Sequence, residues 1–93
     1  MNALHLLNRT REHPAFSQCL RTAPGNTLLL LADAVYELQD ANSPLWRLAG
    51  TRLLALEPDI LARGVAPANA VESLSYDDFV LLTTQHRPIV SWY

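Results

Sequence analysis

One cysteine and three histidines are the side chains of this chain best suited to nucleophilic or acid–base work. A thiolate can attack an electrophile or carry sulfur, but only where a cation, a helix N-terminus and solvent access favour its charged form. Cys19 lacks that setting. It follows Phe16 by three residues and precedes Leu20 and Ala23, so it lies on the apolar face of a helix. Free cysteine on such a face behaves as a small hydrophobe. Cys19 therefore reads first as a core residue, with a persulfide carrier and an interface contact as the alternatives. His5, His13 and His86 are scattered, with no metal-ligand spacing and no Cys/His arrangement. His5 reads as a satisfied core or sheet-edge histidine, His13 as a loop residue before Pro14, and His86 as a group at a helix C-terminus.

Among the acids, Asp33 follows an apolar run, at the carboxyl edge where open α/β sheets usually place ligands. Its plain explanation is a helix N-cap; a ligand or partner contact, shared with nearby Tyr36, is the alternative. Asp77 and Asp78 are adjacent, and adjacent helix positions do not face each other, so they read as first-turn charges. Gly25, Gly50 and Gly64 form no phosphate-cradling motif, and no cofactor or metal is expected. The remaining large aromatics, Trp46, Trp92 and Tyr93, are candidate interface groups. An aromatic pair at 92–93 implies that this end docks, by default on its own domain and alternatively on another subunit.

The elements that must position these groups alternate. Leu4-His5-Leu6-Leu7 is a short strand. The helix of Phe16, Cys19, Leu20 and Ala23 stops at Pro24-Gly25-Asn26. Residues 27–31 are a continuous apolar run, as in strands covered on both faces. A short helix through Ala34, Val35, Tyr36 and Leu38 follows, then a loop to Pro44 and a brief helix at 45–49. Residues 52–56 read as a strand. Pro58 opens the next helix at its first position, and Arg63-Gly64 closes it. A weak strand at 71–74 leads to Ser75-x-x-Asp78, a capping-box-like start. Tyr76, Phe79, Val80 and Thr83 form the expected buried stripe, Leu82 lies on its flank, and a strand at 89–92 ends the pattern. Strands alternating with short helices predict an α/β fold: a mainly parallel sheet of about five strands flanked by helices in three layers.

The 93 residues fit a single domain. Charged residues make up only 17% and hydrophobic ones 49%, where about a quarter charged is usual. Such a chain leaves apolar surface over, which favours a partner. With 7 basic and 9 acidic residues it has no surplus for phosphate neutralisation, so direct nucleic-acid binding is not expected. The longest apolar run, 28–32, is far shorter than the roughly 20 residues that span a bilayer. Met1-Asn2-Ala3-Leu4-His5 has no basic n-region, and one cysteine makes no internal disulfide. A cytoplasmic location follows by elimination.

Read together, several segments resemble the TusB/DsrH family. Leu4-His5-Leu6-Leu7-Asn8-Arg9-Thr10 resembles its L-H-T-x-N-[RK]-S opening, and Leu29-Leu30-Leu31-Ala32-Asp33-Ala34-Val35-Tyr36 its L-L-L-x-D-G-V-Y segment. Asp59-Ile60-Leu61-Ala62-Arg63-Gly64 is similar to D-L-x-A-R-G, Tyr76-x-x-Phe79-Val80-x-Leu82 to Y-x-x-F-V-x-L, and Trp92 lies near the end as in the family. Thr10 and Ala34 depart from the pattern, and Ala34 would disfavour positive φ after Asp33. The resemblance implies a DsrE-like fold and a cytoplasmic dimer of heterotrimers with homologous TusC-like and TusD-like subunits. Such a complex passes persulfide sulfur towards a TusE-like acceptor and 2-thiouridine at tRNA wobble positions. In the family the accepting cysteine belongs chiefly to the TusD/DsrE subunit; the comparable place here, Glu57-Pro58-Asp59, has none. Some DsrH-type members carry a first-helix cysteine, which Cys19 matches. The expectation is thus a non-catalytic subunit. The alternatives are direct persulfide transfer through Cys19, a DsrEFH-like role in dissimilatory sulfur metabolism, or a free-standing small-molecule binding module at the Asp33 edge.

Overall fold

The computed structural model describes residues 3–86 and 88–93. The opening dipeptide, part of the segment read as lacking an export signal, lies outside the described residues. Five parallel strands form one sheet in the order β4-β3-β2-β1-β5. They are β1 (Leu4–Leu7), β2 (Thr27–Leu30), β3 (Arg52–Leu56), β4 (Glu72–Leu74) and β5 (Ile89–Trp92). β1 and β2 are buried throughout, as strands inside a covered parallel sheet must be. β1 therefore sits between β2 and β5, with Leu4 opposite both Thr27 and Ile89.

Alternation along the strands divides the core in two. Leu7, Leu28, Leu30 and Ala55 face one side, where they pack with Phe16, Cys19, Ala23, Val35, Leu38 and Leu45. That side is covered by helices α1 (Pro14–Thr22) and α2 (Glu57–Arg63) and by two 3-10 segments, η1 (Ala32–Gln39) and η2 (Pro44–Arg47). Leu4, Leu6, Leu29 and Leu54 face the other side, against Leu82 and Phe79 of helix α3 (Tyr76–Gln85). Three layers result, as expected, but the second face carries a single helix. Among the described residues no helix is long and apolar enough to cross a membrane.

Local chemistry explains the boundaries. Arg63 lies in the last turn of α2, and Gly64 caps it at φ 61°, as its sequence announces; Pro58 occupies the second helical position, not the first. Ser75 caps α3 by accepting the Asp78 N–H at 3.1 Å. Two expectations are corrected. Asp33 is not an N-cap: Leu31 stands at that position without a side-chain bond, and Asp33 lies in the first turn of η1. The turn takes its positive φ at Ala32, 50°, one residue before Asp33, and Ala34 takes none, as expected after Asp33. In α3 the inward residue is Leu82, with Phe79 and Thr83 half-buried, whereas Tyr76 and Val80 are exposed. The helix is rotated because Leu82 and Phe79 fill the space over Leu6, Leu29 and Leu54.

Candidate functional site

Because every strand is parallel, their carboxyl ends share one edge of the sheet, and that edge gathers most of the charged network. β2 ends at Leu30, and the chain turns through Ala32 into η1. The turn is held by Asp59 of α2, whose Oδ2 accepts the Ala32 N–H at 2.7 Å. Arg63, one helical turn on, donates to Asp59 at 3.4 Å and to Asp33 at 3.1 Å. Asp33 and Asp59 are thus bound through one guanidinium that straps η1 to α2. The partners of the two aspartates among the described residues are the Arg63 guanidinium and the Ala32 N–H. Tyr36 is exposed on the same segment.

A second clasp lies where the chain leaves β1. Glu37 of η1 is only 5% exposed. It accepts from the Arg11 main-chain N at 3.1 Å, from Arg11 Nη2 at 2.7 Å and from Arg11 Nε at 3.1 Å. The buried Ser43 hydroxyl donates to it at 3.1 Å and itself accepts the Leu45 N–H. Arg11 also reaches Asp40 at 2.7 Å, and Asp40 accepts the Asn42 N–H at 2.9 Å. These bonds raise the Arg11 pKa, the Glu37 hydrogen bond contributing most, and hold the Asp40 carboxyl below its usual range, the Asn42 N–H contributing most. Three residues before Arg11, the Asn8 side-chain oxygen is buried without a hydrogen-bond partner among the described residues. Sequence reasoning missed the clasp. Its one signal was an acid, Glu37, between Val35 and Leu38, both buried.

Cys19 does not reach this edge. It is 0% exposed, inside the α1 contact with Leu28, Leu30 and Phe16. Burial pushes its thiol up to about 12. His5 is buried as well, and its Nδ1 accepts the Trp92 indole N–H at 2.9 Å, with the rings stacked. The bond requires neutral His5, and burial lowers its pKa accordingly. Trp92 in this way docks the end of the chain on its own sheet. Trp46 is half-buried, and its indole N–H donates to the Asp40 carbonyl at 2.9 Å. Tyr93 is exposed. His13, expected in a loop, caps α1: its Nδ1 accepts the Ala15 N–H at 3.1 Å. His86 stands at the C-cap of α3. Among the described residues no group of three His, Cys, Asp or Glu side chains is placed to hold a metal.

The site residues singled out in the sequence are therefore not brought together. Asp33 and Tyr36 share an edge, Cys19 lies under one face, and Trp92 lies beside β1. Comparison with known proteins gives the arrangement a context. A family model described as DsrH like protein matches residues 10–89. A Protein TusB from Escherichia coli O81 is 37% identical over 94 residues, covering 96% of this chain and 99% of its own. A Protein TusB from Shigella boydii serotype 18 is 36% identical over the same shares. The solution NMR structure of protein Tm0979 from Thermotoga maritima aligns with a TM-score of 0.65 at 22% identity, over 89% of this chain and 92% of that one. The last likeness concerns the fold alone.

Proposed function

The chain belongs to the DsrH-like protein family, and on that premise we propose that it is a non-catalytic subunit of a cytoplasmic sulfur-relay complex serving tRNA modification. In this reading it acts as one domain beside TusC-like and TusD-like homologous subunits, which pass persulfide sulfur towards a TusE-like acceptor and 2-thiouridine at wobble positions. Similarity to TusB proteins over nearly the whole length supports the relay role. The Asp33 and Tyr36 edge is then a partner contact, and Trp46, Trp92 and Tyr93 belong to or support contact surfaces.

The observation that carries the non-catalytic part is the state of Cys19. A relay cysteine must present a thiolate to an incoming persulfide. Cys19 is fully enclosed, and its thiol is shifted to about 12. Attack by it would require α1 to leave the sheet. The test replaces Cys19 with Ala in the host and measures wobble thiolation of tRNA together with native mass spectrometry of the tagged, gently purified protein. The expected result is an intact complex with unchanged thiolation. Thiolation lost from a fully assembled complex would make Cys19 a carrier and overturn the reading.

A further inference from the structure

β5 is lightly held. It lies at an edge of the sheet and pairs with β1 alone. None of its four residues is buried: Val90 and Trp92 are half-buried, and Ile89 and Ser91 are exposed. β1 and β2, by contrast, are buried along their whole length. Elements with few enclosed apolar groups open at a lower free energy than the core does. β5 can therefore leave the sheet while β1 and β2 stay in place.

A side-chain bond reinforces the β1–β5 ladder, because His5 Nδ1 accepts the Trp92 indole N–H at 2.9 Å. His5 is 2% exposed. Strand alternation puts it on the side of Leu7, the face that α1 covers, and Trp92 packs against the same core. A ring that accepts at Nδ1 carries its proton on Nε2. A second proton has only Nδ1 to occupy. There it would meet the indole N–H, donor against donor, and leave a cation enclosed in the sheet. The ring centroids are 6.1 Å apart, at the outer limit of cation–π attraction, so little is gained in return.

Neighbouring elements do not compensate such a cation. β2, β5 and α1 pack against β1, and none of the three carries a carboxylate. The titratable groups of α1 are Cys19, which burial keeps protonated, and Arg21, which is exposed and of like charge. His13, at its N-cap, has Nδ1 engaged by the Ala15 N–H. α3 lies on the opposite face. Burial accordingly lowers the His5 pKa.

We propose that the His5–Trp92 bond is an acid-sensitive latch: uptake of one proton at His5 Nδ1 breaks the bond to Trp92 and releases β5 from β1 while the rest of the sheet stays folded. Release leaves the main-chain donors and acceptors along one side of β1 unpaired, an edge open to pairing. The inference stands apart from the relay reading. Its sign follows from linkage. With β5 open, His5 regains its ordinary affinity for the proton, so opening is favoured as pH falls through roughly 6.5. Between pH 7.5 and 5.5, one proton multiplies the opening constant by at most about tenfold.

Amide hydrogen exchange, followed by NMR on the full chain, compares β5 with β2 at pH 7.5 and 5.5, as protection relative to intrinsic exchange at each pH. Two variants accompany the wild type. His5→Gln offers an amide oxygen that accepts the indole N–H at either pH, and Trp92→Phe lacks the donor. Thermal melts check that each folds. In the wild type, β5 should be at least tenfold less protected than β2 at both pH values, and its protection should fall at least threefold on acidification. His5→Gln should abolish that fall, and Trp92→Phe should lower β5 protection at least threefold already at pH 7.5. Equal protection of β5 and β2 means that they open only together and overturns the latch. A fall that is absent from the wild type, or that persists in His5→Gln, overturns it as well. Should His5→Gln not fold, Trp92→Phe decides: unchanged β5 protection at pH 7.5 shows that the bond holds nothing.

Discussion

Removing either partner of the Glu37–Arg11 clasp should destabilise the fold, but by unequal amounts, because the partners are buried unequally. Glu37 is 5% exposed and Arg11 47%. Arg11→Met removes both guanidinium bonds and leaves the carboxylate with the residue 11 main-chain N–H and the Ser43 hydroxyl as donors. The enclosed charge then has no counter-ion. Orphaning one member of a fully buried pair costs about 3–5 kcal/mol, and half-exposure of Arg11 reduces this to about 2–3 kcal/mol. Glu37→Gln keeps an acceptor for Ser43 or for the main-chain N–H, and the freed Arg11 can turn to Asp40 and water. Its cost is about 1 kcal/mol, the net worth of one such hydrogen bond. For a domain of this size each kcal/mol moves the melting point by roughly 4–8 °C. Thermal melts at pH 7 should therefore place Arg11→Met at least about 5 °C below Glu37→Gln. The double variant should fall short of the summed losses by about 1–2 kcal/mol, because no lone carboxylate remains. Equal single losses, or strict additivity, would refute the reasoning that burial of Glu37 sets the cost.

Three further outcomes follow from the same structure. Cys19 should resist alkylation at pH 7 in the native protein and react at the rate of an ordinary thiol in denaturant; native-state labelling within tenfold of a free thiol would show α1 to be open. The folded pKa of His5 is lowered by burial. The unfolded chain therefore takes up this proton first, and stability contributed by neutral His5 is complete above its ordinary pKa and declines as pH falls through it. Melts between pH 7.5 and 5.5 should show that decline, and His5→Gln should flatten it; an unchanged slope would place the titration elsewhere. Ala32 adopts φ 50°, a region costing a non-glycine residue about 1–2 kcal/mol. After the greater unfolded-state freedom of glycine is set against this, Ala32→Gly should stabilise by about 0.5–1 kcal/mol, and a lower melting point would contradict it.

Legibility in the sequence followed the range of the interactions. β1, β3 and β5 were bounded correctly because apolar runs meet polar or turn residues within one or two positions. The stop of α2 at Gly64 and the start of α3 at Ser75 are local chemistry and were equally readable. The order β4-β3-β2-β1-β5 was not, since helical crossovers of similar length permit several parallel arrangements. The rotation of α3 escaped as well. Tyr76 and Val80 are as apolar as the residues that pack, and only the sheet beneath distinguishes the two stripes. The Arg11–Glu37 clasp joins residues 26 positions apart, a distance that no local pattern encodes. His13 was misread because a histidine N-cap works through Nδ1, outside the usual set of Ser, Thr, Asp and Asn.

The position of Cys19 bears on where chemistry can occur in this fold. Burial pushes the thiol up to about 12 and so keeps it protonated at pH 7. The same inward stripe of α1, with Phe16 and Ala23, closes the principal core over β1 and β2. Exposing the sulfur would therefore dismantle the core that maintains the fold. The carboxyl edge is no better equipped, because Asp33, Asp59 and Glu37 are all engaged by arginines that tie one segment to another. These paired charges hold the chain's own loops in place. In this fold neither the enclosed sulfur nor the arginine-paired carboxylates of the carboxyl edge stand ready for nucleophilic or acid–base work.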